Sequence, residues 1–304
     1  MTATIDAGPR ALVSHVLTGT PAVRGRYLAR PGGDELQPSP ARVLEALLGE
    51  PHPYDIDQWV ADKVRAAVAG ADVLASAPYE SALRALRHLA TTAAPAQYLL
   101  ADLMVAPAWW EPLHAVINRY RPGTSVLYVG CDPVTLARAR AWLSDLPHQV
   151  DVAAGDVLAP HTLTGLDGDD GVVLDFAEPV VVQLGTAISH CDDDTAAAVL
   201  ADYAALLAPS SVLVLSAYTA PTGAAAARRV REALEFAFGE TRFRPIHELD
   251  QLLPATVTPI PSGPHPAPAG FVPCDQWWPD GPQLRPGPPS QATGMVATVA
   301  VTIR

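Results

Sequence analysis

The hydrophobic pattern of this 304-residue chain changes period repeatedly, and each change marks an element. Short runs that are apolar at consecutive positions, YLLAD (Tyr98–Asp102), TSVLYVG (Thr124–Gly130), Val180–Leu184 and Ser211–Tyr218, predict strands buried on both faces of a parallel sheet. HQVDVAAGDV supplies one more strand and its exit turn. Between the strands, Trp109–Tyr120, Val134–Leu143 and Thr195–Leu207 repeat their apolar residues at helical spacing. Arg121-Pro122-Gly123 ends the first of these helices, and Asp194 is placed to cap the last. Strand and helix alternate five times, which is the pattern of a doubly wound α/β sheet.

Helices come first in the chain. Ser39 at the cap and Pro40 at the first position open one helix, with Val43, Leu44, Leu47 and Leu48 on one face. A second is predicted over Asp55–Ala75 and a third over Tyr79–Ala90, together a helical layer placed to roof a pocket. The first 38 residues, with one short helix over Arg10–Leu17, read as an arm. After the fifth strand the pattern predicts helices over Ala224–Phe238 and His247–Leu253. A proline- and glycine-rich tail, Thr258–Ser290, and a late strand in GMVATVAVTI close the chain.

Charge narrows the partners. A net charge of −12 opposes binding to nucleic-acid phosphates or to anionic lipid, so the expected partner is a small molecule or a protein. Cys131, Cys191 and Cys274 are far apart and form no CxxC pair, which suits a reducing cytoplasm. The N-terminus lacks a basic region followed by an apolar one, and no run reaches membrane-spanning length. The expectation is a cytoplasmic protein, and nothing in the pattern addresses its oligomeric state. Asp192–Asp194 is more simply the favourable negative charge of a helix N-terminus than a metal site, so no metal is expected.

A nucleotide-binding β-α-β unit needs a glycine-rich first turn and an acid after the second strand to bond the ribose. The first turn here is Asp102-Leu103-Met104-Val105-Ala106-Pro107, without glycine, and the second strand runs into Gly130-Cys131-Asp132-Pro133. The frame is kept and part of its chemistry is replaced.

Six segments in order, SPARVLEALLGE, VLYVGCDPVTLARARAWL, GDVLAP, LDFAEPVVVQLGTAISHCDDD, LLAPSSVLVLSAYT and GFVPCDQWWPD, resemble the actinobacterial S-adenosyl methyltransferase family. The resemblance covers about residues 38 to 304. It implies a mostly parallel seven-stranded sheet of the class I methyltransferase type, with residues 1–95 as arm and helical cap and 96–304 as the Rossmann-like domain. It further implies S-adenosylmethionine as cofactor, methyl transfer to a small molecule, and a place in bacterial specialised metabolism. Its cofactor positions fall on Asp102, Met104, Ala106, Gly130, Asp132, Asp156, Val157 and Gly185. Met104 and Ala106 replace the family's two glycines, and Gly130 replaces its ribose acid. Asp132 matches a second aspartate, and Asp156, with Val157 beside it, matches the acid that faces the adenine amino group.

Methyl transfer requires an aligned nucleophile and, where a proton must leave, a base. His190 and Tyr218, at the exits of the fourth and fifth strands, are the candidates for catalysis, with packing as the competing reading for each. Tyr54 and Asp57 keep the character of the family's front-helix motif and, with Trp109 and Trp110, are the candidates for substrate contact. The family's Asn-Arg pair on the third helix reads Tyr79-Glu80 here. Three activities stay open: methyl transfer, a different reaction such as cyclisation or isomerisation in a repurposed pocket, and ligand binding without catalysis.

Overall fold

The computed structural model describes residues 37–50, 54–92, 95–101, 110–144, 146, 149–169, 171–220, 225–263, 269–281 and 292–304. In chain order the front helices are α1 (Pro40–Leu47), α2 (Asp55–Ala67) and α3 (Val73–Thr91). The alternation follows as β1 (Gln97–Ala101), α4 (Leu113–Tyr120), β2 (Ser125–Gly130), α5 (Pro133–Leu143), β3 (Val150–Ala154), β4 (Val181–Gln183), α6 (Asp193–Leu206) and β5 (Val212–Tyr218). The chain ends with α7 (Ala225–Phe238), α8 (Ile246–Leu252), β6 (Val257–Pro259), β7 (Val272–Pro273) and β8 (Val296–Ile303).

The sheet runs β3-β2-β1-β4-β5-β8-β6, with β7 paired to β8 off this path. β1 to β5 pair in parallel, and β8 enters antiparallel between β5 and β6. The seven-strand path matches the expected fold class, and β7 brings the total to eight. Every residue of β5 is buried, which explains why its sequence is apolar, Ser216 and the Tyr218 hydroxyl apart, rather than alternating. One apolar layer packs α6 and α8 on one face of the sheet, and a second packs α3, α4 and α5 on the other. A third layer joins α1, α2, α7 and the start of α3 to Tyr218 and Val296, so these helices roof the end of the sheet where β5 exits.

Several predicted boundaries move for identifiable reasons. The helix expected over Asp55–Ala75 stops at Ala67, because Val68 is extended and Gly70 takes φ +74°, a left-handed value that suits glycine. Its remainder joins the third helix, which begins at Val73 and carries Pro78 inside it. Proline gives the ladder no N–H there, yet packing of Leu74, Tyr79, Ala82 and Leu86 holds the helix. The helix expected from Trp109 starts at Leu113, behind Pro112. Asp192, not Asp194, caps α6 by accepting from the Thr195 N–H at 2.8 Å. Ser39 occupies the cap position of α1, but its side chain makes no cap bond; its N–H donates to Asp57 Oδ1 at 3.0 Å. β6 and β7 lie in the tail read as irregular, where runs of three and two residues are too short to show a period. The helix expected over Arg10–Leu17 lies outside the described residues.

Candidate functional site

Parallel pairing brings the exits of β1, β2 and β3 into one row. Ala101 pairs with Val129, Val129 with Ala153, and Gly130 with Ala154. The sheet order reverses direction between β1 and β4, where Leu100 pairs with Gln183, and open α/β sheets bind ligands at such a switch point.

A cleft opens at that point, with about 480 Å³ of empty space that includes its open mouth. Ala75, Pro78, Tyr79 and Ala82 of α3 form one wall, and Leu44 of α1 closes one end. Leu100, Ala101, Tyr128, Gln183, Gly185 and Thr186, from strand ends and exits, supply the floor, and Leu113 of α4 borders it. Gly185 has φ +52°, so the turn leaving β4 uses a conformation that a side chain would strain. With its amide oriented by its partners, Gln183 donates to Ala101 O and accepts from Gly185 N, both at 2.9 Å. It ties the ends of β1 and β4 together across the switch point.

Beside the cleft lies a buried ionic network that ties the helical roof to the sheet. Arg42 of α1 is 2% exposed; its Nε donates to Asp57 Oδ2 at 2.7 Å, its Nη2 to Gln37 O at 2.6 Å, and its Nη1 to Asp132 Oδ2. Asp132 Oδ1 accepts from both the N–H and the hydroxyl of Thr135, at 2.8 and 2.9 Å, which caps α5. Asp57 is fully buried and also accepts from Tyr54 N at 3.3 Å, while the Tyr54 ring lies 5.2 Å from the Arg42 guanidinium carbon. Two of the sequence candidates, Asp57 and Asp132, are therefore joined through an arginine that the sequence reading passed over. Its signal was present: Arg42 and Glu45 are charged residues one turn apart in an otherwise apolar helix, and both are buried. Gln183, likewise missed, is the one polar residue in the run VVVQL.

His190 and Tyr218 are also brought together, with ring centroids 5.7 Å apart and edge to face. Phe238 packs edge-on against His190 at 5.8 Å, and Phe243 stacks on Tyr218 at 5.0 Å. Thr241 Oγ1 lies 3.4 Å from His190 Nδ1. Burial pushes the imidazole pKa down to about 4, so it is neutral at pH 7 and a weak base. His114 is similar: burial lowers it to about 4, and it sits against Tyr128 with Nδ1 3.1 Å from the phenol oxygen.

At the far end of the row, Asp156 is half-buried beyond β3, and its Oδ1 accepts from Leu158 N at 2.9 Å. Val157 beside it is buried, and its carbonyl accepts from the Tyr203 hydroxyl at 2.9 Å. Trp110 packs on Tyr79 with centroids 4.6 Å apart. Asp102, Met104, Ala106 and Trp109 lie outside the described residues. Among the described residues, no group of three or more His, Cys, Asp or Glu side chains is placed to hold a metal, and no helix is long and apolar enough to cross a membrane.

An S-adenosyl group fits this edge at one end. The half-buried Asp156 carboxylate and the buried Val157 suit an adenine amino group and ring. At the ribose position, Gly130 has no side-chain acceptor, and the Asp132 carboxylate is taken up by Arg42 and Thr135.

Residues 30–303 match the sequence model of a family described as S-adenosyl methyltransferase. The chain is similar to a solved structure of a candidate methyltransferase from Thermobifida fusca YX, at 25% identity and a TM-score of 0.77, over 90% of this chain and 98% of that one. It is also similar in fold to a DUF574 family protein from Streptomyces avermitilis MA-4680, at 21% identity and a TM-score of 0.74, over 90% of this chain and 100% of the other. No curated protein matches the sequence.

Proposed function

Because this chain belongs to the S-adenosyl methyltransferase family, we propose that it binds an S-adenosyl donor along the β3-β2-β1 edge and methylates a small molecule held in the cleft. The observation that carries this reading is the row itself: Asp156 follows Ala154 and Gly155, which pair with and donate to Gly130 at the exit of β2, and the row leads to the cleft at the β1/β4 switch point. The donor, when bound, supplies an electrophilic methyl group. The chain's own residues then have the tasks of positioning and of excluding water. Asp156 and Val157 hold the adenine, Gln183 fixes the spacing of the strand ends, and Leu44 with the α3 wall covers the cleft. His190 and Tyr218 act as one packed pair behind the exits of β4 and β5. Such an enzyme belongs with bacterial specialised metabolism, in the cytoplasm.

Titration calorimetry with S-adenosylhomocysteine tests the reading. Wild type should bind, and Asp156→Ala should weaken binding by about 1.5–3 kcal/mol through loss of a charged acceptor. Equal affinity of the two proteins would remove the adenine assignment.

One observation favours a second reading, in which the pocket serves a reaction other than methyl transfer. Among the described residues no carboxylate is available at the ribose position, since Gly130 has none and Asp132 is committed to Arg42. Under this reading wild type does not bind the donor, and Gly130→Asp restores binding by returning a ribose acceptor to the end of β2. Tight binding by wild type, unchanged in Gly130→Asp, would exclude it.

A further inference from the structure

The cleft has a chemical character that the family does not assign. Among the described residues none of its lining side chains is charged, although α1 carries Arg42 and Glu45 and Glu111 precedes α4. Each of those groups is directed elsewhere: Arg42 to Asp57 and Asp132, Glu45 to Arg138 at 2.7 Å, and Glu111 to Arg119. The two phenols of the lining are turned away as well. Tyr79 donates its hydroxyl to Glu111 O at 2.9 Å, and the Tyr128 oxygen accepts from His114 N at 3.3 Å. What both tyrosines leave for a ligand is ring surface. Trp110, packed on Tyr79, backs that surface with a third ring.

Polarity is confined to the floor. Gln183 uses one of its two amide hydrogens on Ala101 O and one of its two carbonyl lone pairs on Gly185 N. One donor and one acceptor of the same side chain remain at the cleft. A charged ligand would lose its hydration there without a counter-charge, which is costly, whereas a flat apolar one would gain ring contact on the α3 side.

We infer that the cleft takes an uncharged, flat aromatic molecule carrying a hydroxyl or keto group, with the rings against Tyr79 and Tyr128 and the oxygen at Gln183. This rests on the reading of the cleft as the substrate pocket and names the class of substrate.

Equilibrium dialysis of the full chain against three probes, 2-naphthol, naphthalene and naphthalene-2-sulfonate, tests it. The protein should retain 2-naphthol at least tenfold better than the sulfonate. Ala82→Trp, which fills the cleft from α3, should cut 2-naphthol binding at least tenfold with an unchanged circular-dichroism melt. Gln183→Leu should remove the preference for 2-naphthol over naphthalene. Equal or tighter binding of the sulfonate overturns the inference, as does 2-naphthol binding that Ala82→Trp does not weaken. If Ala82→Trp fails to fold, Gln183→Leu decides alone, and a preference for 2-naphthol that survives in it is the overturning result. S-adenosylhomocysteine in the same dialysis separates the two claims. Retention of 2-naphthol without the nucleoside overturns methyl transfer and supports the cleft assignment; retention of the nucleoside without 2-naphthol overturns the cleft assignment alone.

Discussion

His190 makes the stability of this protein depend on pH. Its pKa falls from the ordinary 6.5 to about 4 because the ring is sealed between Tyr218 and Phe238. The folded state therefore declines a proton that the unfolded state accepts, and stability is lost as pH falls through 6.5, with the loss saturating below pH 4. Linkage with these two values gives a cost well under 1 kcal/mol at pH 7.0 and about 2–3 kcal/mol at pH 4.5. His190→Phe keeps an aromatic ring in the same box and removes the titration. Urea unfolding at the two pH values, followed by tryptophan fluorescence, should show the variant losing about 2 kcal/mol less than wild type. His114 titrates alike in both proteins and cancels from the comparison, as does any constant packing cost of the new ring. The same pH dependence in variant and wild type would refute the argument and mean that His190 is protonated in the folded state. It would also return His190 to consideration as a general base, since its low pKa is what makes it a weak one.

Two further outcomes follow from the packing. Arg42→Met should destabilise the fold by about 3–5 kcal/mol in urea, because it leaves two buried carboxylates without their cation; a loss below 1 kcal/mol would mean that the network is solvated. Gly155→Ala places a Cβ 2.8 Å from Val129 Cγ1 and 2.9 Å from Leu163 Cδ2, so thermal unfolding should reveal a loss of about 1–3 kcal/mol, and an unchanged melt would show that the edge beneath Asp156 has room to give.

The sheet was readable because its central strands are buried on both faces, and that burial writes a nearly unbroken apolar run into the sequence, Gln183 and Ser216 apart. The strand exits were readable for the same reason, since parallel pairing forces them to one edge. The site was only half readable. Asp57 and Asp132 drew notice as acids near expected cofactor or substrate positions, yet their partner is a side chain on α1, and nothing local to either aspartate names it. The start of α3 was hidden by Pro78, a residue that marks a boundary in isolation and is held inside a helix here by tertiary packing. Gln183 shows the complementary case. A polar residue in a doubly buried strand must find partners, but only the structure reveals that they are the backbone of the neighbouring strand and of its own exit turn.

The ion pair between Arg42 and Asp132 spans 90 residues, and that separation sets an order on the birth of the protein. At ribosomal speeds of about 5–20 residues per second, α1 leaves the tunnel roughly 5–18 s before the aspartate that anchors it. During that interval Arg42 can already pair with Asp57 of α2, 15 residues on, while Glu45 waits for Arg138 of α5. The α1–α2 pair is thus tied to the sheet later than it is made, and a translational pause before α5 would lengthen the time for which the buried Glu45 has no cation.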